Sequence, residues 1–136
     1  MRRYELAARL LFASATLLVT SRANAEPCNT VAARAGMAAS LRLATEERPV
    51  NVTFATRATG VKVPAYLLEN YPDEMPIVLQ YEFDRLIVTD DGFDVSLWFK
   101  HKYARLTVPF DAVREFYDNS VRTCGRDDKD SGSSRP

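Results

Sequence analysis

The chain has 136 residues, enough for one small domain, and its 46% hydrophobic and 26% charged residues are typical of a globular protein. The formal net charge is zero, so the total charge does not favour a nucleic-acid partner.

The N-terminal segment has the three parts of a secretory signal peptide. Arg2, Arg3 and Arg9 precede the short apolar segment Leu10–Val19, and an A-x-A cleavage site ends at Ala25. The apolar segment is about half as long as the roughly 20 residues that span a bilayer. The sequence therefore predicts a cleaved signal peptide over residues 1–25 and a periplasmic or secreted protein. The alternative is an amphipathic N-terminal helix of a cytoplasmic protein.

Cleavage would leave 14 basic and 17 acidic residues, a net charge of −3, which favours neither nucleic acid nor the membrane as a partner of the mature protein. The two cysteines, Cys28 and Cys124, lie near the two ends of the mature chain. An even number in an exported chain predicts a disulfide, although two unrelated thiols are the alternative. Two cysteines and the single histidine, His101, are too few for the usual structural zinc site, so we expect no metal and no cofactor.

The first element of the mature chain is predicted to be a helix. Val31–Glu47 is alanine-rich, and Pro49 would end the helix. Met37, Leu41 and Ala44 recur at helical spacing and predict its buried side.

Several strands are predicted next. Val50–Thr56 alternates apolar and polar residues, as a half-buried strand does. Ala65–Tyr71 predicts a single helical turn before Pro72. Pro76–Gln80 is short and β-branched, which predicts a strand buried on both faces, and Leu86–Val88 repeats the pattern.

The second half of the chain continues with a hairpin. Asp90-Asp91-Gly92 predicts its turn, with the glycine free to take a positive φ, and Phe93–Phe99 is a cleanly alternating strand. A further strand is predicted over Ala104–Phe110, followed by a short helix over Ala112–Asp118 that Asp111 would cap. The polar tail, residues 126–136, is predicted to be disordered.

These elements predict a single α+β domain over residues 26–125. It would have an N-terminal helix followed by a small, strongly curved, barrel-like antiparallel sheet of about five strands.

No group of residues predicts catalysis. His101 lies in a basic turn with no acid at a useful offset, and the acidic pairs lie in turns, where aspartate is favoured for local hydrogen bonds. We therefore expect no catalytic residues and no enzymatic activity. A sheet-rich domain of this kind can bind an extended peptide along a free strand edge, and the segment from Pro76 to Phe83 would contribute to such a groove.

Several separated motifs, in order and spacing, resemble the stringent starvation protein B (SspB) family, most closely its alphaproteobacterial members. The resemblance extends from Phe54 to Val121 and rests on the segments Phe54-Ala55-Thr56, Gly60-Val61, Tyr71-Pro72-Asp73-Glu74-Met75, Ile77-Val78-Leu79-Gln80, Phe93-Asp94-Val95, Leu106-Thr107-Val108-Pro109-Phe110-Asp111-Ala112-Val113 and Phe116-Tyr117-Asp118.

This resemblance implies a non-enzymatic adaptor. Proteins of the SspB family bind ssrA-type degradation tags in a groove, dimerise, and tether the tagged protein to the ClpXP protease. By resemblance, the partners would be an extended peptide or protein tail, a second copy bound through the helix near Val31–Glu47, and ClpX if the protein is cytoplasmic. The resemblance implies these peptide-binding residues: Val78, Gln80, Tyr81, Phe83 and Phe99.

The chain departs from the family pattern at two places near this groove and in its tail. Asp84-Arg85 replaces a Trp-Asp pair, and Lys100-His101 replaces a Gly-Gly turn. The tail has no short apolar and basic docking motif for ClpX. Three hypotheses follow: an exported, divergent peptide-binding module, a cytoplasmic ClpXP adaptor, and a periplasmic enzyme on the same scaffold.

Overall fold

The computed structural model describes residues 26–126. The predicted signal peptide and the predicted tail after Arg126 lie outside the described residues. The described part of the chain forms two α-helices, seven strands and one 3-10 turn: α1 (Val31–Arg42), β1 (Val50–Ala55), α2 (Ala65–Asn70), β2 (Glu74–Leu79), β3 (Phe83–Val88), β4 (Gly92–Phe99), β5 (Lys102–Pro109), the 3-10 turn (Phe110–Ala112), β6 (Val113–Asp118) and β7 (Val121–Cys124).

The strands form two antiparallel sheets. Sheet A has the order β2-β1-β6-β7, and sheet B has the order β3-β4-β5. The inward side chains of both sheets and one side of α1 form a single core. The predicted α+β fold is confirmed, and the two sheets are open and do not close into a barrel.

Helix α1 packs one side against the sheets and is shorter than predicted. The Thr30 hydroxyl accepts a hydrogen bond of 3.0 Å from the Ala33 N–H and so caps the first turn. Met37 and Leu41 are fully buried, as their spacing predicts. The helix ends at Arg42 and does not continue to Glu47, because the chain turns back there to meet β6.

Strand β2 is an edge strand and is half-buried, so the prediction that it is buried on both faces is wrong. Met75, Ile77 and Leu79 point into the core, and the alternate residues Pro76 and Val78 are exposed. Edge strands tolerate proline because the missing N–H is not needed on the unpaired side. Strand β3, the edge of sheet B, is exposed in the same way.

Strand β6 lies where a short helix was predicted, and that prediction is wrong. Val113 and Phe116 are buried three residues apart, a spacing that resembles a helical period. The register between β6 and β1 shifts at Thr53 and Phe54, so β6 carries an additional residue between its two inward side chains. Strand β7 was not predicted, and it pairs with β6 at the far edge of sheet A.

Gly92 begins β4 directly after the predicted hairpin turn, which is confirmed. Its φ is not positive, unlike that of Gly60, so the predicted reason for a glycine is wrong. A Cβ at position 92 would lie 2.4 Å from the carbonyl oxygen of Val108. The glycine is needed because the neighbouring strand β5 passes too close for any side chain.

The two ends of the described chain are joined. Cys28 and Cys124 form the predicted disulfide, with their Cα atoms 5.1 Å apart across 96 residues. The Gly125 N–H donates to the Glu26 carbonyl at 2.8 Å, and Arg126 makes two hydrogen bonds to the Glu74 carboxylate at the start of β2. The chain therefore leaves the domain beside the first residue of the edge strand.

Asp118 at the end of β6 joins three separate segments. Arg48 donates to both of its carboxylate oxygens, at 3.0 and 2.9 Å, and the Ser40 hydroxyl of α1 donates at 2.7 Å. These hydrogen bonds, that of Arg48 first, hold the pKa of Asp118 below its usual value of 3.8. The contact fixes the loop between α1 and β1 against the sheet.

This network predicts a loss of stability in acid. The folded-state pKa of Asp118 is lower than that of the unfolded chain, so the carboxylate stabilises the fold above pH 3.8. This stabilisation is lost as the pH falls through the folded-state pKa. We expect Asp118→Asn to lower the melting temperature near neutral pH and to make it less dependent on pH in acid.

Thermal unfolding of the wild type and the variant between about pH 2.5 and 7 measures both effects. Asp90→Asn is the matched control, because Asp90 is exposed in the turn between β3 and β4. A melting temperature that falls equally in acid for the wild type and Asp118→Asn would contradict the role of Asp118.

Candidate functional site

An open groove lies where the edge of sheet A meets the end of β4 and the connection that leads from β2 to β3. Its volume is about 580 Å³. Three stretches of chain line it, namely the second half of β2, the connection from β2 to β3, and the end of β4: Pro76, Ile77, Val78, Gln80, Tyr81, Glu82, Leu97, Trp98 and Phe99. Most of these side chains are apolar or aromatic, which is typical of a binding groove for a peptide or a small ligand.

One side of the groove is the unpaired edge of β2. The Thr56 N–H donates to the Asp73 carbonyl at 2.9 Å, so this is a hydrogen-bonded pair of the antiparallel ladder. The same pairing then recurs at every second residue of β2, so Met75, Ile77 and Leu79 turn their backbone N–H and carbonyl groups toward β1. Pro76 and Val78 therefore turn theirs to the open side, where β2 has no neighbouring strand.

The opposite side of the groove is aromatic. Trp98 is 45% exposed and packs edge-on against Tyr103 of β5, with ring centroids 5.1 Å apart. The backbone N–H of Trp98 donates to the backbone carbonyl of Glu82 at 3.2 Å. This hydrogen bond holds the end of β4 against the connection between β2 and β3. Tyr81 in that connection is 66% exposed. Exposed aromatic side chains on fixed backbone are suited to contact with a protein partner.

The structure brings four of the five predicted peptide-binding residues to this groove. Val78, Tyr81 and Phe99 line it directly. Gln80 also lines it, but its side-chain amide donates to the Glu46 carbonyl at 2.9 Å and fixes the loop after α1. Phe83 does not line the groove, because it pairs with Leu97 in sheet B and packs against the core.

The alternation of β4 places Trp98 on the sheet face opposite Phe93, where the sequence left open sheet-face packing or an exposed aromatic at a protein contact, but it did not assign Trp98 to the groove. Pro76, Ile77 and Glu82 lie in the segment predicted to contribute to the groove but were not singled out as binding residues, and Leu97 was missed. Alternation predicts which face a side chain takes, but a groove between two sheets depends on how those sheets meet. The pairing of β4 with β3, which places Trp98 across from Glu82, has no local signal in the sequence.

The described residues contain no group of three or more His, Cys, Asp or Glu side chains that could hold a metal ion. His101 is exposed in the turn between β4 and β5 and does not line the groove. Within residues 26–126, no helix is long and apolar enough to cross a membrane. The groove offers a partner apolar surface, aromatic rings and strand-edge hydrogen bonds.

The family model for stringent starvation protein B, SspB, matches residues 29–126 of the chain. The chain belongs to the SspB family. A comparison with individually curated proteins finds no significant match. Membership of the SspB family supports an adaptor-like, non-enzymatic role, since SspB proteins bind protein partners such as ClpX and tagged substrates.

Three of the positions where the chain departs from the SspB pattern, Arg85, Lys100 and His101, are strained in the structure. Lys100 and His101 have φ values of 42° and 80°, and Arg85 has a φ of 52°. Positive φ at both central residues is the mark of a type I′ hairpin turn, where glycine has no Cβ to clash. The Gly-Gly turn of the SspB pattern would therefore fit this backbone without strain.

We expect Lys100→Gly and His101→Gly each to raise the free energy of unfolding by about 0.5–1 kcal/mol. Relief of the left-handed strain outweighs the greater entropy that glycine gives the unfolded chain. Urea unfolding of each variant measures the change. Lys62→Gly is the control, because Lys62 has no positive φ and should lose stability. Destabilisation by all three substitutions would show that the turn is not strained.

Proposed function

We propose that this protein is a non-enzymatic peptide-binding module that takes up an extended protein tail as an additional strand beside β2. The observation that carries the proposal is the unpaired edge of β2 next to the aromatic groove. An extended peptide can satisfy the free peptide groups of such an edge and place alternate side chains in an adjacent pocket. Membership of the SspB family adds that its relatives act as adaptors.

The edge offers a limited set of hydrogen bonds. Val78 presents both an N–H and a carbonyl to the open side, whereas Pro76 presents only a carbonyl. A bound strand therefore exchanges two hydrogen bonds with Val78, and its neighbouring side chains reach Trp98 and Tyr81 across the groove. Backbone pairing gives affinity for many sequences, and the aromatic side of the groove gives selectivity.

The proposed partner is an extended peptide of the ssrA type or a similar protein tail. A second copy of the chain, bound through α1, is a further proposed partner. Val31 at the start of α1 and Leu43 just after its end are 85% and 52% exposed, which supplies apolar surface for such a contact. ClpX is a partner only in the cytoplasmic alternative.

We propose that the mature protein acts outside the cytoplasm and begins after Ala25. The disulfide between Cys28 and Cys124 supports this location, because such bonds persist in oxidising compartments. Both cysteines are buried, at 5% and 1% exposure, as expected for a structural bond. An exported copy would bind peptides without delivering them to a cytoplasmic protease.

We expect a labelled ssrA-type peptide to bind the wild type saturably in fluorescence anisotropy. Trp98→Ala, which removes the largest exposed ring of the groove, and Val78→Asp, which places a charge on its apolar side, should each weaken binding. The expected loss is about 1–2 kcal/mol, roughly five- to thirtyfold in Kd.

Ile87→Ala is the matched control, because Ile87 is also an exposed apolar residue, at 53%, but it lies on β3 outside the groove. It should bind as the wild type does. No saturable binding by the wild type, or equal losses in all three variants, would contradict the proposed groove.

We expect the protein purified from its natural compartment to begin at Glu26 and to contain no free thiol. Intact mass measurement before and after alkylation under denaturing conditions tests both expectations. The exported, oxidised form should take up no alkyl group until it is reduced. A chain that retains Met1 and alkylates at both cysteines would favour the cytoplasmic ClpXP adaptor.

A further inference from the structure

A second open cavity, here called the outer cavity, lies on the face of sheet A that is turned away from the core. Its volume is about 430 Å³. Parts of β1, β2 and β6 and the turn after β6 line it: Asn51, Val52, Thr53, Pro76, Ile77, Val78, Glu115, Tyr117 and Asn119. It shares the β2 residues Pro76, Ile77 and Val78 with the groove. The unpaired edge of β2 therefore lies between the groove and the outer cavity.

The outer cavity is polar, whereas the groove is mostly apolar. Asn51 and Thr53 alternate with the buried residues of β1. Tyr117 and Glu115 lie directly opposite them on β6. These four side chains are half-buried, and within residues 26–126 none of them forms a hydrogen bond or an ion pair. Half-buried polar groups of this kind favour a ligand that supplies hydrogen bonds.

The charges around the outer cavity are close to balanced. Glu115 is the lining residue that is charged at neutral pH. Arg122 of β7 lies opposite Tyr117 and donates to the Arg126 carbonyl. The Arg114 guanidinium is held by two carbonyls of the 3-10 turn. The outer cavity therefore offers hydrogen bonds rather than one dominant charge, which suits a neutral polar side chain.

The register of sheet A directs the side chains of a bound strand to both spaces. Residues directly opposite one another in neighbouring strands point to the same face of the sheet. Val78 lies opposite Asn51, which lies opposite Tyr117, so these three form one row across the outer face. A strand that pairs with the open side of Val78 adds a fourth member to this row. The residues before and after that member point to the groove, because side chains alternate along a strand.

The spacing of the strands decides which side chain fits. Neighbouring strands are about 4.8 Å apart, so the added residue lies roughly 10 Å from Asn51, on the far side of Val78. Val78 is short and 48% exposed, which leaves space above it. A glutamine side chain is long enough to lie over Val78 and bring its amide to Asn51, whereas a serine is too short.

We propose that the outer cavity is a second specificity site for the bound peptide, and that it takes a long, neutral, hydrogen-bonding side chain such as glutamine from the residue opposite Val78. This inference rests on the proposed addition of a strand beside β2 and adds a residue preference to it. The amide of glutamine both donates and accepts, so it can serve the Asn51 amide and the Tyr117 hydroxyl together. Apolar residues at the alternate positions of the peptide face the groove.

Matched octapeptides test the preference. The frame alternates leucine and serine, has blocked ends and carries a fluorescent label, and each serine in turn is replaced by glutamine or by methionine. Methionine has about the same length as glutamine but lacks the amide. With the wild type, the best glutamine peptide should bind about three- to tenfold more tightly than its methionine counterpart, the net effect of one hydrogen bond. Glutamine in place of a leucine next to that position should weaken binding.

Substitutions in the outer cavity assign the effect. Asn51→Leu, which keeps a similar volume, and Tyr117→Phe, which removes the hydroxyl alone, should each bring the affinities of the two peptides closer together. A melting temperature near that of the wild type shows that each variant is folded. Tyr103→Phe is the matched control, since Tyr103 is 52% exposed and lines neither the groove nor the outer cavity, and it should keep the wild-type preference.

The outcomes separate the two proposals. Saturable binding of glutamine and methionine peptides with equal affinity at every position would overturn the second specificity site and leave peptide binding intact. The same holds if the preference survives both Asn51→Leu and Tyr117→Phe. If no peptide of the set, including the unsubstituted frame, binds the wild type saturably, both the proposed function and the preference fail.

Discussion

The alternation of buried and exposed side chains along β2 is the constraint on which the groove depends. Met75, Ile77 and Leu79 must enter the core, and the period of two in a strand then sends Pro76 and Val78 outward. Because β1 uses its two sides to pair with β2 and β6, the outer side of β2 is left without a partner. The alternation therefore builds the core and turns Pro76 and Val78 outward, and the strand order leaves the edge that a bound strand would use.

The bonds that join the two ends of the described chain also stabilise strand β2. The disulfide holds β7 to the start of the described chain, and Arg126 pairs with Glu74 at the first residue of β2. Closure of a loop of 96 residues restricts the unfolded chain strongly, by about 4–5 kcal/mol in the chain-entropy model. A domain of this size, with two open sheets, has a small core, so such a bond is a substantial part of its stability.

Much of the fold could be predicted from local patterns. The stripe formed by Met37 and Leu41 and the alternation of β1 and β4 correspond to what the structure contains, because each depends on a face that is buried within one element. Strand β6 was mistaken for a helix, since a β-bulge spaces Val113 and Phe116 three residues apart. The bulge is a property of the pairing with β1, and a single strand carries no signal for it.

The sequence by itself determined the family, the separated SspB motifs, the cysteine pair and the outward position of Trp98, because these follow from residue identity and local period. Only the tertiary structure decided that β2 is an edge, that Trp98 lies across from Glu82, and that Phe83 turns to the core. These relations join residues from separate strands. They depend on the order of the strands and on the angle at which two sheets meet, and neither is encoded within any one segment.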